Sequence, residues 1–359
     1  MNIFKRKEEV EEDESELRGR YNSRKNIKDL KPEYKRRKRE PPKPWGVKER
    51  LIVLFVLLAT VLTSAFLGLS SRNYKLPGLP RLNVDIRNLN PFKEETIVIG
   101  KKTNDAEINK QKEKAEKIVE VFREKTNSLS GVYAFQVTDL DSGYSFGVNE
   151  VEPMQAASLI KLPVIAALYT EVEKGIIDLD TKYSLKNSDK RVGSGSLYGR
   201  PAGTVLTYRE LVNLMGKQSD NTAFNILRNL LGDAKIGETI KTLTMDGTSL
   251  KDNETSPKDI GLFFQKLYNG EVVSDKNKSE ILNSLTDTIY ENWLAAGIPN
   301  NVQVAHKYGR EVHVVNDAGI IFTQNPFVLV ILTDGVVERE ADDVIPQLAK
   351  RIYEIQTDN

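Results

Sequence analysis

The sequence predicts an α+β fold: an antiparallel sheet built from strands at both ends of one domain, with a helical block inserted between them. Strand-like runs fall at 132–148 and again at 302–308, 312–322 and 327–333, whereas 158 to about 294 reads mostly as helix. Strands and helices do not alternate singly, which argues against parallel βαβ units. A run of 21 uncharged residues between Arg50 and Arg72 adds one transmembrane helix before this domain.

The elements follow in chain order. Residues 1–50 carry 17 Lys/Arg against 11 Asp/Glu, a net +6, which leaves −5 on the other 309 residues of a chain whose total is +1. The stretch from Glu8 to Glu16 has no apolar period, so residues 1–50 read as a disordered basic tail. Residues 51–71 show no polar positions at helical spacing. They are expected to span a membrane, because ~20 residues match a hydrocarbon core of about 30 Å. The cluster Lys35-Arg36-Arg37-Lys38-Arg39 keeps the N-terminus inside the cytoplasmic membrane and the body outside, at a periplasm or cell surface. Beside a membrane, such a cluster sets topology and contacts anionic lipid; no nucleic-acid partner is expected. Residues 72–103, with Pro77, Pro80 and Pro91, read as a linker, and 104–359 as the folded domain.

Within that domain, Ile108, Ala115, Ile118, Val119 and Phe122 form a helical stripe. The Asp139–Gly143 cluster turns a hairpin between 132–137 and 144–148. Thr207 with Glu210 is a capping box. Ser256-Pro257 starts a helix that Gly270 follows. A last helix is expected over 340–356.

Composition limits the chemistry. The absence of cysteine excludes disulfides, thiol nucleophiles and Cys-ligated metals. Two histidines, His306 and His313, leave little room for a metal site, and packing or surface roles are expected for both.

Three short patterns carry reactive groups. In Ser158-Leu159-Ile160-Lys161, Ser and Lys lie one helical turn apart among apolar residues. A serine hydroxyl needs a base, and a desolvated lysine can serve. Pro163 marks this turn as the start of the helix, where free N–H groups can hold an oxyanion. Ser219-Asp220-Asn221 sits between two helical segments; its plain reading is a helix cap and turn. Its chemical reading makes Ser219 a proton relay, Asn221 a clamp on substrate and Lys161, and Asp220 structural. Lys307-Tyr308-Gly309 lies on a strand, with Lys307 and Gly309 on one face and His306 and Tyr308 on the other. Lys307 is either an edge-strand charge or a cation that holds a substrate carboxylate.

In this order, Ser-x-x-Lys, Ser-Asp-Asn and Lys-x-Gly resemble the penicillin-interacting serine hydrolases, the class A β-lactamases in particular. The resemblance covers residues about 104–356 and extends to Leu162-Pro163-Val164, Thr222-Ala223, Val304-Ala305-His306 and Ala318-Gly319-Ile320-Ile321. It implies Ser158 as acylated nucleophile, Lys161 as proton acceptor and Ser219 as proton shuttle. Asn221 positions ligand and Lys307 binds its carboxylate. The backbone N–H groups of Ser158 and Arg310, the latter after Gly309, form the oxyanion hole. It implies no metal or organic cofactor, and a β-lactam or a peptidoglycan stem peptide as substrate.

Two departures stand out. Position 308 is Tyr where the family has Thr or Ser, and its ring is expected to point away from the site. The family's long loop with its deacylating Glu shrinks here to Thr248–Thr255, without a Glu-x-x-Leu-Asn pattern. Asp252 and Glu254 are expected to face solvent or cap the next helix. The expected activity is therefore β-lactam hydrolysis with slow deacylation. The alternatives are a D-Ala-D-Ala carboxypeptidase or transpeptidase, and a non-catalytic β-lactam sensor or wall-binding module.

Overall fold

The structure, a computed structural model, describes residues 47–71 and 105–358. The tail up to residue 46, the linker 72–103 and the side chain of Ile108 lie outside the described residues. The chain divides into two units between Val84 and Asp85.

In the first unit, Val47–Ser71 forms one helix, α1. Its side chains are described from Leu51 to Ser64, and Leu51, Ile52, Leu54, Phe55, Leu58 and Leu62 are exposed. Among the described residues no helix is long and apolar enough to cross a membrane.

The second unit begins with α2 (Asp105–Thr126), which buries Ala115, Ile118 and Phe122 as its stripe predicts. The expected hairpin follows as β1 (Val132–Asp139) and β2 (Ser145–Val148). The Asp139 carboxylate accepts the Ser142 N–H and hydroxyl, both at 2.7 Å, and Gly143 supplies a φ of +78°. After β3 (Met154–Gln155), a 3₁₀ turn at Ala157–Ile160 runs into α3 (Lys161–Glu173). A small pair, β4 (Lys182–Ser184) and β5 (Val205–Thr207), precedes α4 (Tyr208–Lys217), α5 (Asn221–Leu231) and α6 (Asp233–Thr242). The capping box forms: Thr207 Oγ1 accepts the Glu210 N–H at 3.2 Å, and Glu210 accepts the Thr207 N–H at 2.7 Å. β6 (Glu254–Thr255) pairs with β3, and α7 (Pro257–Tyr268) and α8 (Asp275–Ser284) complete the helical block.

The remaining strands are β7 (Gln303–Glu311), β8 (Val314–Phe322) and β9 (Phe327–Asp334), closed by α9 (Glu338–Thr357). The sheet order is β2-β1-β9-β8-β7, so strands from the two ends of the domain pair, with Val132 opposite Asp334. The short pairs β3–β6 and β4–β5 are not among the sequence expectations.

Alternation gives the sheet two buried faces. Ala134, Ala305, Ala318, Ile320, Val328 and Val330 join the core of the helical block. Tyr133, Phe135, Val137, Val315, Leu329 and Ile331 join a second core with α2 and α9. The small alanines on the first face let helices approach, while aromatics fill the second.

One polar cluster breaks the second face. His306 of β7 is completely buried, its Nδ1 2.8 Å from Asp317 Oδ1 on β8 and its Nε2 3.2 Å from Glu291 Oε1. Asp317 also accepts the Leu294 N–H at 3.0 Å, and Thr288 donates its N–H and hydroxyl to Glu291. The cluster therefore ties segment 288–294 to the sheet. Burial pulls the imidazole's pKa down, but the charge and hydrogen bond of Asp317, then Glu291, outweigh it and push it up to about 9. For Glu291 burial acts upward, and the bonds from His306 and Thr288 outweigh it, holding the carboxyl at about 2. His306 is thus a packed residue, as expected, but a charged one.

The sign of its contribution is fixed. A folded-state pKa above the unfolded value stabilises fully below pH ~6.5, and the effect is lost as pH rises through about 9. His306→Gln is expected to cost roughly 3 kcal/mol at pH 6 and clearly less at pH 10, read by thermal denaturation. An equal loss at both pH values would mean that the charge contributes nothing.

Candidate active site

Ser158 sits in the 3₁₀ turn before α3, and the residue before it, Ala157, is held at a φ of +48°. A left-handed non-glycine costs about 1–3 kcal/mol and survives only where surrounding contacts dictate it. Those contacts are visible. The Ala156 N–H donates to Asn253 O at 2.8 Å. The buried Asn316 donates its Nδ2 to Gln155 O at 2.8 Å, while its Oδ1 accepts the Thr333 N–H at 2.8 Å. Asn316 thus fastens the strand before the nucleophile to β8 and β9. Pro163 is the third residue of α3, where its missing N–H leaves no helical bond unmade.

β7 passes directly beneath this turn. A Cβ at Gly309 would lie 2.8 Å from the Ser158 nitrogen, so only glycine fits there. The His306 N–H leaves β7 on its outer side, donating to Leu285 O at 2.8 Å. Strand alternation turns the Arg310 N–H the same way. Consistently, Val315 opposite Arg310 spends its N–H and C=O on the Thr333 hydroxyl. The Arg310 N–H is therefore turned out of the ladder beside Ser158, as an oxyanion hole requires. Its guanidinium points elsewhere, pairing with Asp342 at 2.9 Å.

The Lys161 ammonium is the buried centre of the site. It donates to the Ser219 carbonyl, to Ser219 Oγ at 3.1 Å and to Asn221 Oδ1 at 2.8 Å. Burial lowers its pKa to about 7, against smaller upward contributions from Asp220 and Glu311. A lysine so placed is substantially neutral near pH 7 and can accept a proton.

The tripeptide after α4 supplies those partners. Ser219 is buried with a φ of +53°, which aims both of its oxygens at Lys161. Asp220 caps α5 by accepting the Ala223 N–H at 2.9 Å and also accepts the Leu197 N–H at 2.7 Å. Asn221 donates Nδ2 to Val192 O at 3.0 Å. The cap reading thus holds for Asp220, while Ser219 and Asn221 flank it as hydrogen-bond partners of Lys161.

Lys307 is completely buried, which removes the reading of an edge-strand surface charge. Its Nζ donates to Tyr308 O at 2.8 Å and lies 4.2 Å from the Tyr308 ring centroid. Burial, then the charge of Lys161, hold its pKa well below the ordinary lysine value. The structure brings Ser158, Lys161, Ser219, Asn221 and Gly309 together; Lys307 is tied to them by its charge interaction with Lys161, while its Nζ lies against Tyr308. The Tyr308 ring packs with Tyr290 and Trp293, centroids 5.4 and 6.4 Å away, on the second core.

Asn316-Asp317 reads in the sequence as a tie between adjacent strands, but sequence reasoning missed Asn316's bonds to residues 155 and 156, Asp220's second bond and Glu311, whose charge reaches Lys161. Glu311 had one available signal: it is two residues past Gly309 on the same strand face. Asp252 and Glu254 are exposed, as expected.

A serine one helical turn before a buried lysine, between a helix start and a sheet edge, fits a serine hydrolase of the β-lactamase type. Residues 113–356 match the model of the beta-lactamase enzyme family, and the chain belongs to that family. It is 23% identical over 265 residues to beta-lactamase VEB-1 of Pseudomonas aeruginosa, covering 67% of this chain and 87% of VEB-1. A β-lactamase structure from Sphaerobacter thermophilus is similar with a TM-score of 0.63 and 25% identity, over 67% of this chain and 96% of that one. PBP-A is similar with a TM-score of 0.61 and 24% identity, over 68% of this chain and 95% of its own.

With neutral Lys161 as the acceptor, acylation of Ser158 is expected to rise with pH through about 7 and then level. Stopped-flow acylation across pH 5–9 reads this. Lys161→Ala should slow acylation by about 10²–10⁴-fold and abolish that inflection; an unchanged profile would remove Lys161 from the proton path.

Proposed function

We propose that this chain is a membrane-anchored hydrolase acting outside the cytoplasm, acylated at Ser158 by β-lactams and slow to release the acyl group. The depressed Lys161 pKa beside Ser219 and Asn221 carries the acylation half. Lys161 takes the Ser158 proton as Oγ attacks the lactam carbonyl. The N–H groups of Ser158 and Arg310 hold the oxyanion. The Ser219 hydroxyl passes a proton to the departing nitrogen, Asn221 orients the acyl amide, and Lys307 binds the carboxylate.

The short segment 245–255 supports slow release. Its carboxylates are engaged or exposed: Asp252 accepts the Ser249 hydroxyl at 2.6 Å, and Glu254 faces outward. Just beyond it, Asp259 is buried and bonded to Thr248 Oγ1 at 2.7 Å. Without a positioned base, ester hydrolysis forgoes ~10²–10⁴-fold of general-base catalysis. The same observation favours a second reading, a D-Ala-D-Ala carboxypeptidase or transpeptidase. Of the related structures, a variant of PBP-A is described as an acyl-enzyme complex with penicillin G. A sensor that transmits a stable adduct to the tail is the non-enzymatic reading.

Intact-protein mass spectrometry after a penicillin pulse is expected to show an adduct that persists for minutes, and none in Ser158→Ala. Loss within seconds would refute slow release. Release of D-alanine from a stem-peptide mimic would select the peptidase.

The anchor rests on the 21 uncharged residues within α1 and on its exposed leucines. Its hydroxyls also bond inward, Thr60 Oγ1 to Val56 O at 2.6 Å and Thr63 Oγ1 to Ala59 O at 2.9 Å, as lipid requires. The full chain should remain in the membrane pellet after alkaline washing, and the chain lacking residues 1–72 should stay soluble. A full chain released by the wash would sink the anchor.

A further inference from the structure

β7 carries more along the substrate path than Lys307 and Gly309. Glu311 follows on the same face, about 7 Å past Gly309 at strand spacing, and is exposed. It is held rather than loose. Its Oε2 accepts Gln155 Nε2 at 2.9 Å and its Oε1 accepts Asn253 Nδ2 at 3.1 Å. Both donors are neutral amides, so they orient the carboxylate without cancelling its charge. The adjacent arginine, Arg310, faces the other way onto Asp342. Gln155 lies opposite Glu254 in the β3–β6 pair, which puts a second exposed carboxylate on the rim, with Lys251 also exposed nearby in sequence. Glu311's field reaches the catalytic centre, where it opposes the depression of the Lys161 pKa.

This inference rests on the acylation reading above. A substrate with its carboxylate at Lys307 and its reacting carbonyl over Gly309 lies antiparallel to β7. Its acyl side then extends toward Glu311. An amine one residue before the reacting carbonyl sits about two residues of extended chain away, ~7 Å, the spacing from Gly309 to Glu311.

We propose that Glu311 is a specificity-determining residue, which favours acyl donors bearing a protonated amine at that distance from the reacting carbonyl. The substrate class is thus an amine-bearing N-acyl amide, whether a β-lactam or a peptide.

The test compares acylation rate constants of the full chain with ampicillin, which carries the amine, and benzylpenicillin, which lacks it. The ampicillin/benzylpenicillin ratio is expected to exceed unity by roughly 3- to 10-fold at low salt and to shrink in 1 M salt. Glu311→Gln should bring the ratio to that of the neutral site, and Glu311→Lys should invert it. Each ratio is internal to one protein, so a general loss of folding or activity cancels. A ratio near unity in the unsubstituted chain, or one unchanged in Glu311→Gln, overturns the proposal while leaving acylation intact. No acylation by either penicillin would instead overturn the acylation reading, and this inference with it.

Discussion

Burying the Lys161 ammonium among oxygens that carry no full charge sets the terms for everything around Ser158. Its partners are a backbone carbonyl, a hydroxyl and an amide oxygen, so desolvation is only partly offset and the proton is weakly held. Those partners need unusual backbone. Ser219 adopts a left-handed conformation to present both of its oxygens, and Ala157 adopts another to present the nucleophile. Asp220, between two working residues, spends its carboxylate on two backbone N–H groups and so fixes the frame. The weak hold on the Lys161 proton is therefore set by the packing of the helical block.

The sheet contributes through one edge strand used on three sides. Even-numbered residues of β7 face the aromatic core, where the charged His306 binds the strand to β8 and to segment 288–294. Odd-numbered residues lie under the nucleophile, where Gly309 leaves room for the Ser158 nitrogen. The outer edge offers the Arg310 N–H. A one-residue slip would exchange the first two sets, so the two-carboxylate clamp on His306 also protects the register on which the site depends.

Much of this was legible in the sequence because it is local. The Ser158–Lys161 turn, the Thr207/Glu210 box and the Ser256-Pro257 start are each written within four residues, and each formed. The pairing of β1 with β9 followed from strands at both ends of a helical block. What stayed hidden depends on residues brought together from afar. Asn316 bonds residues 155 and 333, Glu311 bonds 155 and 253, and His306 bonds 291 and 317. No spacing rule reports such contacts. The pairs β3–β6 and β4–β5 are two or three residues long, too short for a period-two signal. Lys307 was legible as a strand lysine on Gly309's face, but not as one buried against the carbonyl and ring of its own neighbour.

The first and last helices of the domain lie side by side. Lys114 of α2 donates to the Gln356 carbonyl of α9 at 2.9 Å, and Lys125 to Gln347 at 3.1 Å. Both pack on the aromatic core, the face of the sheet away from Ser158. The two ends of this domain thus meet on the sheet face away from Ser158. A fusion partner attached after α9, or a circular permutation that joins α9 to α2, meets the rear wall and leaves the catalytic mouth unobstructed.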